Sequence, residues 1–140
     1  MMIGKIVTGK SFGGAVCYLL GKEPGKAYIL TSDGVELTSR QALIGSFEFQ
    51  RRARPDVERV VGHISLSFHP DDDPRMSNPL MIDLAREYMQ RMEITGTQYL
   101  VVRHTDTKHS HLHILYNRVR YDTTLLRAMQ PFRGNLLLAA

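Results

Sequence analysis

The sequence predicts an α+β fold: an antiparallel sheet with helices packed on one face and a histidine cluster on the opposite, more polar face. Three observations carry that expectation. The segments follow one another as strand, helix, helix, strand, helix, strand, strand, an order that favours antiparallel pairing. From Val60 to Phe68 the chain alternates, with Ile64, Leu66 and Phe68 on one side and His63, Ser65 and Ser67 on the other, as a half-buried strand does. From Tyr99 to Val119 two apolar runs, Tyr99 to Val102 and Leu112 to Tyr116, flank a polar loop in the pattern of a β-hairpin with a wide connection.

Met2 to Val7 is a short apolar stretch and reads as the first strand. Ser11 stands at an N-cap position before a helix from Phe12 to Leu20, and Gly21 stops it. Gly13 and Gly14 weaken that helix but let another backbone, or a phosphate, come close. Cys17, beside Val16, is expected in the core; Tyr18 lies two turns into the helix. Lys22 to Thr38 is rich in Gly, Pro, Ser and charge and reads as an excursion within the domain, with Ala27 to Leu30 as a brief strand. Thr38 or Ser39 caps a helix from Arg40 to Arg52, in which Leu43, Ile44 and Phe47 recur at helical spacing. Pro55 breaks that pattern before the alternating strand. His69-Pro-Asp-Asp-Asp-Pro then reads as a solvated turn, because a run of like charge between prolines repels itself. Asn78 as cap and Pro79 as first helical residue open a helix to about Met92, with Leu80, Leu84 and Tyr88 facing the core. Gly96 separates it from the hairpin.

A length of 140 residues fits one domain with a sizeable core. The 43% apolar content includes no run near the length of a membrane span, and the N-terminus lacks the apolar core and cleavage pattern of a signal peptide. One cysteine makes no internal disulfide, which suits a reducing cytoplasm. The formal charge of +4 is compatible with an anionic partner. Arg51 and Arg52, with Arg118 and Arg120 after the hairpin, are the candidate phosphate contacts; a solvated charged face accounts equally well for the first pair.

Four of the six histidines sit in or beside the hairpin loop. His111 and His113 point to the same face, about 6.5 to 7 Å apart along the strand. An antiparallel partner brings His104 beside them. Packing gives no reason for His-x-His where Val or Ile fits a pleated surface better, so the pattern points to a metal site. Three neutral imidazoles leave coordination positions open, as a catalytic site requires. A metal there polarises a phosphoryl oxygen, the help that a tyrosine phenol with a pKa of about 10 needs in order to attack it.

RHTDTKHSHLHILYNRV, Arg103 to Val119, resembles the HxDxxHxHxHxxxN signature of the mobilisation relaxases, the His-hydrophobe-His endonucleases of plasmids and other conjugative and mobilisable elements. The opening MIGKIVTGKSFGGAVCYLLGKE, SFEFQRR, GHISLSF and AREYM resemble the family as well, so the likeness covers nearly the whole chain. The resemblance implies a bacterial, cytoplasmic enzyme that nicks and rejoins single-stranded DNA at an origin of transfer, alongside relaxosome accessory proteins. It implies a tyrosine nucleophile that stays attached to the DNA 5′ end, and Tyr18 occupies the matching position, with Tyr28 in reserve. It also implies a divalent metal, Mg²⁺ or Mn²⁺, on His104, His111 and His113, with Asp106 orienting a ligand imidazole. His109 and Asn117 match signature positions suited to substrate contact or ligand support, and His63 is a candidate neighbour of the nucleophile.

Nuclease domains of this family usually run longer. The ending Gly134-Asn-Leu-Leu-Leu-Ala-Ala lacks the expected continuation, so residues 1–140 are expected to be a relaxase domain truncated at its C-terminus. Two other readings compete: a degenerate or truncated DNA-binding accessory module without turnover, and a metal-dependent hydrolase that forms no covalent intermediate.

Overall fold

The computed structural model describes residues 2–21, 25–105 and 111–127. They form β1 (Met2–Gly9), α1 (Phe12–Leu20), β2 (Ala27–Asp33), α2 (Arg40–Arg51), β3 (Val61–Phe68), a 3₁₀ turn (Pro70–Arg75), α3 (Asn78–Arg91), β4 (Tyr99–His104) and β5 (His111–Asn117). All five strands join one sheet in the order β1-β3-β5-β4-β2, and every pairing is antiparallel. The hairpin therefore supplies the centre of the sheet, and β1 and β2 are its edges.

Helices cover both faces of this sheet, which corrects the expectation of a single helical layer. Met81, Leu84, Ala85, Tyr88 and Met89 of α3 pack on Ile64 and Leu66 of β3, Val101 of β4 and Leu112, Ile114 and Tyr116 of β5. On the other face, Phe12, Val16 and Leu19 of α1 and Leu43 and Phe47 of α2 pack on Val61, Leu100, Val102 and Leu115. The rings of Phe12 and Phe47 stack at 4.6 Å between centroids and fix one helix on the other. The physical reason lies in the central strands: Leu100, Val101 and Val102 are all buried, and an unbroken apolar run of this kind needs cover on both sides. The histidine strands carry their rings on the face that α1 and α2 also pack against, so no helix-free face is set aside for them.

Several local expectations are refined. Ser11 and Ser39 cap α1 and α2 by accepting from the amides of Gly14 and Ala42. The cap of α3 is Ser77, which accepts from Leu80 N, so Asn78 and Pro79 are already in the first turn. β2 runs three residues further than composition alone indicates, because β4 offers it hydrogen-bonding partners as far as Asp33, around an irregularity between Ile29 and Thr31. Cys17 is exposed and not in the core: Phe12, Val16 and Leu19 take the inward stripe of α1, and a residue one position from Val16 is turned about 100° away from it. Among the described residues no helix is long and apolar enough to cross a membrane.

Candidate active site

Register builds the site row by row. His104 of β4 is paired with His111 of β5, which is paired with Ser67 of β3; His113 is paired with Ser65. Side chains two apart share a face, so His63, Ser65 and Ser67 stand beside His111 and His113 on the α1 side of the sheet. The ring centroids of His104 and His113 are 4.3 Å apart, and those of His63 and His113 are 5.1 Å apart. Three imidazoles from three adjacent strands thus meet, and His111 occupies the neighbouring row.

Hydrogen bonds orient these rings. His104 Nε2 lies 2.6 Å from the carbonyl of Leu19, at the end of α1. A carbonyl only accepts, so Nε2 carries a proton, and in the neutral ring the lone pair is on Nδ1. His113 Nδ1 is 2.9 Å from His63 Nε2 and 3.5 Å from Ser65 Oγ, while His111 Nδ1 is 3.2 Å from Ser67 Oγ. On both β5 histidines it is Nδ1 that β3 engages. Burial, reinforced by the charges that His104, His63 and His111 would carry, pushes His113 down to about 3. His63 is lowered for the same first reason, burial, with His104 contributing. His113 is therefore a neutral imidazole at physiological pH.

Neutral imidazoles on adjacent strands are the right donors for a divalent ion, and His104, His111 and His113 fit it in kind and in register. Among the described residues, however, no group of three or more His, Cys, Asp or Glu side chains has its donor atoms gathered at one point. One cause is visible: the Nε2 of His104 is turned to the carbonyl of Leu19. Asp106 and His109 lie outside the described residues.

The two tyrosines separate. Tyr18 projects from α1 with 70% of its surface exposed, and its ring lies edge-on to His63 at 6.3 Å between centroids. Tyr28 of β2 is paired with Arg103, which is paired with Leu112, and Leu112 belongs to the core under α3. Tyr28 is therefore on the opposite side of the sheet from the imidazoles.

Asn117 is fully buried and is opposite Val61, the next row on the same face after the His63–Leu115 pair. Its amide donates to Phe47 O and to Gln98 Oε1, and its side-chain oxygen accepts from Val119 N. Gln98 in turn donates to the carbonyls of Gly34 and Ser46. This signature residue ties the hairpin to α2 and to the loop after β2. The arginines also lie at that end of β3, whose Val61 row is two residues from His63 and six from Ser67. Arg51 donates to the carbonyls of Lys10 and Glu58 and pairs with Glu48. Arg118 donates to Leu126 O and Arg59 O, and Arg120 to Glu93 O and Thr124 Oγ1. Arg52, at the C-cap of α2, is exposed.

Sequence reasoning left the partners of the rings unassigned. The alternation of β3 marked Ser65 and Ser67 as sharing a face with His63, but their pairing with particular histidines needs the β3–β5 register. The carbonyl of Leu19 has no sequence signal, since every residue carries one.

Neither a curated protein nor a solved structure matches the chain. One family model does, over residues 18–134, and the matched span takes in Tyr18, the polar row of β3 and both histidine strands. It describes the relaxase MobA/VirD2-like nuclease domain, and a match over most of the chain places this protein in that relaxase family.

Proposed function

We propose that this domain nicks and rejoins one strand of DNA at an origin of transfer by transesterification through Tyr18. The supporting observation is the contact chain from an exposed phenol to the imidazoles: Tyr18 beside His63, and His63 bonded to His113. Tyr28, on the other face, is set aside as nucleophile.

Tyr18 Oη attacks the scissile phosphorus, the bond from phosphorus to the 3′ oxygen breaks, and that oxygen leaves with a proton as a free hydroxyl. The 5′ phosphate stays on the tyrosine, and attack by a 3′ hydroxyl reverses the step. A phenol ordinarily holds its proton until about pH 10, so it needs help at neutral pH. His104, His111 and His113 would hold a divalent ion, which when bound supplies Lewis-acid polarisation of a non-bridging phosphate oxygen. Ser67, Ser65 and His63 hold the β5 rings by their Nδ1 edges, which leaves the Nε2 edges to face a ligand. Asp106 is assigned the orienting role that its signature position implies, and His109 contact with substrate. Arg52 remains a candidate phosphate contact; Arg51, Arg118 and Arg120 spend donors on backbone carbonyls and are assigned to the fold.

Single-stranded origin DNA incubated with the protein and Mn²⁺ or Mg²⁺ tests the reading. A protein–DNA adduct of the added mass is expected, absent in Tyr18→Phe and retained in Tyr28→Phe. Equal adduct yield from Tyr18→Phe removes Tyr18 as nucleophile, and cleavage without any adduct favours a metal-dependent hydrolase.

A further inference from the structure

β1 is an edge strand, paired only with β3. Its Met2, Gly4 and Ile6 are opposite Phe68, Leu66 and Ile64 and so face α3. Its other row, Ile3, Lys5 and Val7, is turned to the histidine side, with Ile3 64% and Val7 45% exposed and Lys5 exposed between them. Such exposure means that no described element covers this row. A lysine alone suits an edge, where charge discourages the addition of another strand. Two exposed β-branched apolar side chains beside it work against that purpose and call for another explanation.

Register supplies one. Ile3, Lys5 and Val7 are opposite Ser67, Ser65 and His63, which are themselves opposite His111, His113 and Leu115. The row is one strand spacing, about 4.8 Å, from the polar row of β3 and two from the β5 histidines. Apolar, cationic and apolar groups thus continue the candidate site without interruption to the edge of the sheet.

We propose that Ile3, Lys5 and Val7 form a track for the single-stranded DNA on one side of the scissile phosphate. Bases lie against Ile3 and Val7, and Lys5 Nζ pairs with the phosphate between them. A bare strand displays base faces and phosphates together, which is the alternation on β1; a duplex hides its base faces and leaves Ile3 and Val7 nothing to touch. The assignment rests on the reading of the histidine face as the nicking site.

The test is anisotropy of a fluorescein-labelled, mixed-sequence single-stranded oligonucleotide titrated with the whole chain over a salt series. A Tyr18→Phe background prevents covalent product. Ile3→Thr with Val7→Thr keeps the β-branched shape and removes the apolar contact; binding weakens about fivefold to tenfold. Lys5→Gln reduces the slope of log K against log salt by about 0.7, one phosphate contact on a single strand. Phe49→Ser removes an apolar side chain 74% exposed on α2 and leaves binding unchanged. Thermal midpoints verify folding, and the Lys5→Gln slope stands alone if the threonine pair unfolds. The track is overturned by unchanged affinity and slope, by equal weakening in Phe49→Ser, or by no oligonucleotide binding in the parent. Adduct formation by native Tyr18 reports separately on the nicking reading.

Discussion

Asn117 shows how one side chain in a functional signature can serve the fold. Its carboxamide is fully buried and satisfied by Phe47 O, Gln98 Oε1 and Val119 N. Truncation to Ala leaves these partners unpaired in the interior. Asn117→Ala is therefore expected to lose about 3 kcal/mol in urea unfolding, because each unpaired buried group costs 1–3 kcal/mol. Protein that is still folded should form the adduct at a near-parental rate. A stable variant with no adduct would instead make Asn117 a substrate contact. At the same scale, burial first, and the neighbouring imidazoles His104, His63 and His111 after it, decide what His113 is: a ring held down to about 3 stays neutral throughout the physiological range.

At the scale of elements, the β3–β5 pair determines whether the histidine rows are aligned. Gly62 lies under the ring of Tyr116, where a Cβ would collide with Cζ. Gly62→Ala is expected to destabilise by about 1–3 kcal/mol through overpacking, and Tyr116→Leu in the same chain should recover part of that loss. Strictly additive losses in a thermal-melt cycle would show that the ring does not press on this strand. The buried Tyr116 hydroxyl has no hydrogen-bond partner among the described residues. Tyr116→Phe should consequently be neutral or stabilising, since it removes a polar group that was desolvated without compensation. A large loss of stability would reveal a partner for the hydroxyl.

For the molecule as a whole, neutral imidazoles make stability depend on pH. Unfolded histidines take up protons near pH 6.5, whereas folded His113 resists until about 3 and folded His63 is also lowered. Between those values the unfolded chain binds more protons, so stability rises with pH and is lost as pH falls from about 6.5 toward 3. Urea midpoints of EDTA-treated protein should begin to fall well above the carboxylate range. Asp56 and Asp122, both lowered by hydrogen bonds from Arg54 and Thr124, respectively, contribute only further down. His113→Gln should flatten the upper part of the profile; an unchanged profile in that variant would place the sensitivity elsewhere.

Periodicity and capping chemistry are local properties, so α1, α2, α3, β3 and the hairpin were legible as elements. The signature carried the family, and the alternation of β3 put His63 on the same side as Ser65 and Ser67. Whether Tyr18 or Tyr28 shares the face of the imidazoles was not readable, because a face is defined by pairing: Tyr28 is turned away by its register with Arg103, and no residue near it encodes that register. The second helical layer, the commitment of Arg51, Arg118 and Arg120 to carbonyls far along the chain, and the exposed row of β1 beside Ser67, Ser65 and His63 were likewise decided only in three dimensions. Sequence determined which side chains are available and which segments form; long-range hydrogen-bond register, set by the summed packing of both cores, decided which of them meet.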